Sequence, residues 1–263
     1  MHNELMIRLG IFLALFFILA CLESVFPKRK RVQPRKDRWL TNWTLVIIDT
    51  LCLRVVAIVI PFVATLAAFD AALNNWGLMN FLIWPTWLEI LLSILFLDLA
   101  IWAQHFFTHK IPILWKLHRV HHADRDMDVS TAIRFHPFEI AISMGLKILL
   151  IYILGPAVLA VVLFEIILNG SSMFNHANLA IPKSADKFLR WFFVTPDMHR
   201  IHHSSIREEH DTNYGFALSF WDRIFKTYKS EPSGGHLKMK VGLEWQDDAP
   251  AKIWWTLLLP FRK

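Results

Sequence analysis

Long apolar runs separated by short polar segments dominate the chain. Residues 5–26 form the first, interrupted only by Arg8 and Glu23. A bilayer core of ~30 Å needs about 20 helical residues, so this run is long enough to cross. Its positive charge follows the run, in Lys28, Arg29, Lys30, Arg31, Arg35, Lys36 and Arg38, and no small-residue cleavage site comes after it. That order argues for a retained membrane helix over a secretory signal, with its C-terminal end in the cytoplasm. Residues 45–73 read as a second span, with Asp49 and Arg54 near its cytoplasmic end and a kink expected at Pro61. The uncharged residues 74–80 suit a short loop on the far side, and 81–97 a third span returning to the cytoplasm.

Residues 138–168 are apolar again except for Glu139, Lys147 and Glu165, with Gly155-Pro156 near the middle. One straight helix would carry everything after it to the opposite side. A hairpin bent at Gly155-Pro156, with arms each short for a full crossing, would bring the chain back. The hairpin is expected because the histidine-bearing segments on either side must meet. The polar segments 110–135 and 169–236 read as cytoplasmic, and the C-terminal run 253–263 is too short to span and reads as an interfacial element anchored by Trp254 and Trp255.

Composition supports a membrane protein. Hydrophobic residues make up 55%, and twelve Trp and 21 Phe against three Tyr suit a chain that meets lipid along much of its length. The net charge of +6 comes from basic residues beside apolar spans, which favours anionic lipid headgroups over nucleic acid as counter-charge. Cys21 and Cys52 each lie inside an apolar run, so neither a disulfide framework nor a thiolate metal site is indicated.

The chemistry lies in the histidines. His105 and His109 are four apart, and His118, His121 and His122 follow i, i+3, i+4, as do His199, His202 and His203. On helices each set projects imidazoles from one face. A histidine pair four apart is weak on its own, but three titratable rings crowded as His-x-x-His-His offer no packing advantage over Leu or Phe, and the motif occurs twice. With His176 the set is nine imidazoles, too many for one zinc and suited to two metal ions. His136 is open between a ligand and a donor to one. Iron accepts imidazole ligation and can keep positions open for dioxygen, so an imidazole-rich di-iron centre beside a membrane would suit oxidation of an unactivated C–H bond. Asp98, Asp197 and Asp211 are the acids available to hold the second ring nitrogens, and Asp197 is also a candidate N-cap for the helix carrying His199. A membrane zinc hydrolase and a metal-handling or transport protein are the alternatives; no His-Glu-x-x-His motif supports the first, and the histidines gather beyond the span ends, not along a path through the bilayer.

These motifs resemble the fatty acid hydroxylase superfamily of integral-membrane di-iron enzymes, in its sterol desaturase-like branch. The resemblance covers about residues 98–229. It rests on His105-x-x-x-His109, His118-x-x-His121-His122, Arg134-Phe135-His136-Pro137-x-Glu139, Asn175-His176, His199-x-x-His202-His203 and Asp211-Thr212-Asn213-Tyr214-Gly215. It implies an all-α integral membrane protein, a transmembrane bundle under a cytosolic helical cap, two non-haem irons held by the nine histidines, and O2-dependent hydroxylation or desaturation of a lipid. Where sphingolipid hydroxylases carry a further histidine pair near His176, Asn175 stands here, leaving Asn175, a bound water or His136 to complete the ligands at one iron. Electrons are expected from a separate donor, cytochrome b5-like, a ferredoxin or a reductase, docking on the basic loop or the region 119–134, although lipid contact suits the loop better. The division expected is 1–80 for the N-terminal spans and basic loop, 81–230 for the catalytic domain, and 231–263 for the tail.

Overall fold

The computed structural model describes residues 2–59, 64–245 and 249–262. Seven longer helices come first: α1 (His2–Val25), α2 (Arg35–Val59), α3 (Ala64–Leu73), α4 (Thr86–Lys110), α5 (Pro112–His122), α6 (Pro137–Leu154) and α7 (Val158–His176). Short helices follow, α8 (Lys183–Leu189), α9 (Pro196–His202), α10 (Arg207–His210), α11 (Phe220–Ile224), α12 (Gly235–Lys238) and α13 (Ile253–Leu258). Among the described residues there is no strand, only isolated bridges such as Phe193 with Leu218. Among the described residues four helices, Met6–Val25 within α1 together with α4, α6 and α7, are long and apolar enough to cross a membrane.

The apolar run does double back at Gly155-Pro156. Gly155 adopts a left-handed φ of 63°, its N–H bonds to the Ile151 carbonyl at 2.7 Å, and α7 starts two residues beyond Pro156. The arms are longer than expected: α6 has 18 residues and α7 has 19, each enough to cross. They gain length because α6 begins at Pro137, and α7 continues through the polar Asn169, Ser171, Ser172 and Asn175 to His176. The turn is clamped by the loop after α3. Gly77 (φ 95°) backs onto it so closely that a Cβ there would lie 2.2 Å from the Gly155 nitrogen. The span expected over 45–73 is represented by α2 and α3; Pro61 lies outside the described residues.

Helix α7 packs on α1, α3 and α4, and α6 on α2 and α3. The alanine face of α3 (Ala64, Ala67, Ala68) lets α6 and α7 approach through Ile151 and Val161. Phe16, Leu19 and Ala20 of α1 meet Val129, Ala132 and Ile133 of the turn after α5 and Met173 of α7.

The basic loop turns inward more than expected. Lys28 bonds Asp197 at 2.6 Å, and Arg35 bonds Glu23 at 2.7 Å. Buried Arg38 is held by Asp124 and Asp128, each at 2.6 Å. Asp124 and Asp128 follow the helix that carries His118 to His122, and Asp197 lies beside His199, so the basic stretch clasps the histidine-bearing segments. Arg134, also buried, ties Asn42 of α2 to the Val120 carbonyl of α5 and to Thr256 of α13. Helix α13 is too short to cross, and its Trp254 is exposed. Thr256 and the following Leu259 are buried, with Leu259 in a cluster that includes Val120 of α5.

Candidate metal centre

Local sequence sets each histidine-bearing segment. Pro112 has no N–H and restricts Ile111 to an extended conformation (φ −94°, ψ 116°), which ends α4 and makes Pro112 the first residue of α5. The break turns α5 back so that His118, His121 and His122 meet His105 and His109. Helix α9 is capped by Thr195, whose hydroxyl accepts from the Met198 N–H at 3.3 Å, with Pro196 in its first turn. Asp197 is therefore not the cap, and its carboxylate faces Lys28, Arg200 and, at 4.0 Å, His236 instead of any of the nine histidines.

The nine histidines converge from α4, α5, α7 and α9 into two adjoining groups. His105, His109, His118, His122 and His202 place one nitrogen each within 4.8 Å of one another, and so do His121, His176, His199 and His203. All nine are buried. The groups touch where His122 stacks on His203, with ring centroids 4.5 Å apart.

Ring orientation is set from outside. Nδ1 of His105 lies 2.7 Å from the Tyr214 carbonyl, of His202 2.8 Å from Thr212, of His176 2.7 Å from Ser172 and of His121 3.1 Å from Arg134. Nδ1 of His118 lies 2.6 Å from Glu139 Oε1. A carbonyl or carboxylate oxygen only accepts, so each Nδ1 carries the hydrogen and each Nε2 presents a bare lone pair. Yet Nε2 of His105 lies 3.1 Å from that of His118, and Nε2 of His176 3.0 Å from that of His121. Two lone pairs facing each other in a buried site repel unless a cation lies between them. Burial, followed by the neighbouring imidazoles, holds His121 well below the ordinary histidine range, so a proton is a poor candidate for the cation between His176 and His121. The donor set fits two metal ions.

The loop after α10 supplies two of the carbonyls. Asn213 takes a left-handed φ of 54° and bonds through its side chain to Met198 and Lys229. Asp222 accepts from the N–H groups of Tyr214 at 2.8 Å and Gly215 at 2.9 Å and from Trp102 Nε1 at 3.0 Å, joining the loop to α4. Asp211 lies 3.5 Å from His109 Nδ1 and 2.8 Å from Lys110.

Other expected positions fall elsewhere. Asp98 accepts from Trp221 Nε1 at 2.9 Å and touches no histidine, because it lies seven residues, about 10 Å along the helix axis, before His105. His136 caps α6, accepting from the Phe138 N–H at 3.2 Å, while its Nε2 faces the Leu257 carbonyl at 3.2 Å, so both ring nitrogens are engaged away from the two groups. Buried Asn175, next to His176, donates through Nδ2 to the Phe216 carbonyl at 2.9 Å, and its Oδ1 has no hydrogen-bond partner. Glu139 and Asp222 were not foreseen as supports; a carboxylate at the start of an otherwise apolar helix was the available sign for Glu139.

Two cavities adjoin the centre. One of about 180 Å³ reaches His105 and His118, and another of about 290 Å³, almost wholly apolar, lies between α4, α5 and α6. They share Gln104, Thr108 and Glu139 as lining residues.

The structure is a bundle with four helices long and apolar enough to cross a membrane among the described residues, and it carries paired histidine groups that could hold metal ions beside an apolar cavity. The chain belongs to the fatty acid hydroxylase family, whose model matches residues 90–227, more than half of its length. It is similar to the ornithine lipid hydroxylase OlsE of Rhizobium tropici, 26% identical over 149 residues that cover 57% of this chain and 44% of that protein. It is also similar to alkylglycerol monooxygenase of Homo sapiens, 29% identical over 166 residues covering 60% of this chain and 34% of that protein. Cholesterol 25-hydroxylase of Mus musculus is 25% identical over 147 residues, 55% of this chain and 48% of that protein. The chain thus spans less than half the length of these relatives. No solved structure matches it.

Proposed function

We propose that this protein is a multi-pass membrane oxygenase that uses two irons, O2 and external electrons to hydroxylate or desaturate a lipid, with its metal centre on the cytoplasmic side. The observation that carries this reading is the set of nine buried imidazoles, five of them fixed at Nδ1 by an acceptor so that bare Nε2 atoms converge. His105, His109, His118, His122 and His202 would hold one metal, and His121, His176, His199 and His203 the other. When bound, the metals would supply reduction of O2 by two electrons and two protons, so that in hydroxylation one oxygen atom enters a C–H bond and the other leaves as water.

The chain's own part is positioning. The carbonyls of Tyr214, Thr212, Ser172 and Arg134 and the Glu139 carboxylate orient the rings, and burial excludes bulk water. The cavity wall at Gln104, Thr108 and Glu139 would hold a hydrocarbon beside His105 and His118. The relatives named above act on lipids, which supports a lipid substrate here, and the basic residues after α1 support the cytoplasmic placement. A separate protein would supply the electrons.

The test is to purify wild type, His202→Ala and His121→Ala, measure iron, and compare lipid extracts of cells expressing each. The wild type should contain iron and produce a new hydroxyl, double bond or ether-cleavage product that neither variant makes. Full iron content with normal turnover in either variant would reject the assignment, and turnover without O2 or reductant would favour a zinc hydrolase.

A further inference from the structure

Within α6, Glu139, Ser143 and Lys147 recur every fourth residue and share one face, and all three line the cavity that reaches His105 and His118. Lys147 is eight residues beyond Glu139, about 12 Å further along the helix axis and away from the histidines. Asn169 of α7, seven residues before His176, lines the same end. Ser143 also bonds Gln104 of α4 at 3.3 Å, so the polar wall continues across the cavity. A polar stripe therefore runs from the metal centre into the part of the bundle whose outer surface is apolar.

Lys147 pairs with Glu165 of α7 at 2.7 Å, and Arg8 of α1 meets the same carboxylate. An ammonium has three N–H donors, and the hydrogen bond to Glu165 uses one. The Lys147 side chain is 13% exposed, set among helices apolar enough to cross a membrane, and lines the cavity of about 180 Å³. An ionisable group so placed is costly to keep for packing alone and commonly marks a substrate path. An apolar residue would serve the cavity wall better if the occupant were a plain hydrocarbon.

We propose that Lys147 is a specificity-determining residue: with Ser143 and Asn169 it receives an oxygen-bearing group of the lipid, while a carbon about 12 Å away lies at the His105–His118 end. The substrate class is then an amphiphile with a hydrogen-bond-accepting group remote from the oxidised carbon, its alkyl portion having the apolar cavity beside α5 available. This rests on the oxygenase reading above and names the chemistry its pocket selects.

The test uses full-length protein in detergent micelles and three probes of equal chain length: hexadecanoate, hexadecanol and hexadecane. Wild type should bind at least one oxygenated probe tenfold or more tightly than hexadecane. Lys147→Met should lose that preference, and Lys147→Arg should keep affinity within about threefold by retaining the donors. The double variant Lys147→Met with Glu165→Gln removes both charges of the pair, so its loss of preference with normal folding separates ligand selection from helix pairing. Tighter binding of hexadecanoate than of hexadecanol would identify an anionic group, and equal binding a neutral acceptor; both support the proposal. Equal binding of all three probes to wild type, no saturable binding of any, or wild-type preference in Lys147→Met would overturn it. Metal content is measured on the same samples: iron-free wild type would sink the oxygenase reading, whereas unchanged preference in Lys147→Met would sink only the role of Lys147.

Discussion

Replacing Glu139 by Gln probes the support of one metal without emptying the cavity. Its Oε1 lies 2.6 Å from Nδ1 of His118, both groups are buried, and Oε2 has no hydrogen-bond partner. Gln keeps the volume and one acceptor but removes the charge, and its amide must turn its oxygen toward the ring to preserve the bond. A hydrogen bond to a charged group contributes about 1.5–3 kcal/mol, against about 0.5–1.5 kcal/mol for a neutral one. The expected loss is therefore about 1–2 kcal/mol, near the low end of the 10- to 100-fold fall in metal affinity typical when a partner behind a metal-ligating histidine is lost. Because Glu139 bonds only His118 among the nine histidines, the weakening should fall on the five-histidine group. Chelator titration with metal analysis should show one of two metals released at roughly tenfold lower chelator concentration, the second holding as in wild type. Glu139→Ala, which leaves the His118 Nδ1 hydrogen without an acceptor, should lose it more readily still. If Glu139→Gln retains both metals with wild-type resistance, the support assigned to this carboxylate is wrong.

Gly155→Ala should destabilise the α6–α7 hairpin by more than the ~1–2 kcal/mol cost of a left-handed alanine, since its Cβ would also lie 2.4 Å from the Trp76 carbonyl oxygen; thermal unfolding in detergent checks this, and a wild-type Tm refutes it. Arg38→Met strands the buried carboxylates of Asp124 and Asp128 and should cost about 3–5 kcal/mol, read by chemical denaturation; a loss under about 1 kcal/mol would show that the loop does not clasp the site.

The chain's own pattern carried the imidazole faces, because i, i+3, i+4 spacing becomes a helical face through local geometry alone. The reversal followed from the same histidines, whose segments had to meet, and Gly155-Pro156 only supplied a place for it, which the left-handed Gly155 fills. The backbone supports of His105, His121, His176 and His202 were hidden because every residue has a carbonyl and only the fold decides which one meets a ring. Asp98 misled for a related reason: it shares a helix stripe with His105 but lies too far along the axis to reach it. The basic loop was legible as positive charge, but the inward turn of Lys28, Arg35 and Arg38 depends on acids from Glu23 to Asp197, spread over most of the chain.

Helix α9 divides its histidines, sending His202 to one group and His199 and His203 to the other. It is made after α4, α5 and α7, so during synthesis neither group is complete until this late seven-residue segment closes over the others. Early cation capture by the first six imidazoles alone would leave both sites short of donors and accessible to exchange. Under the proposed two-metal reading, docking of this one segment would complete both groups at once.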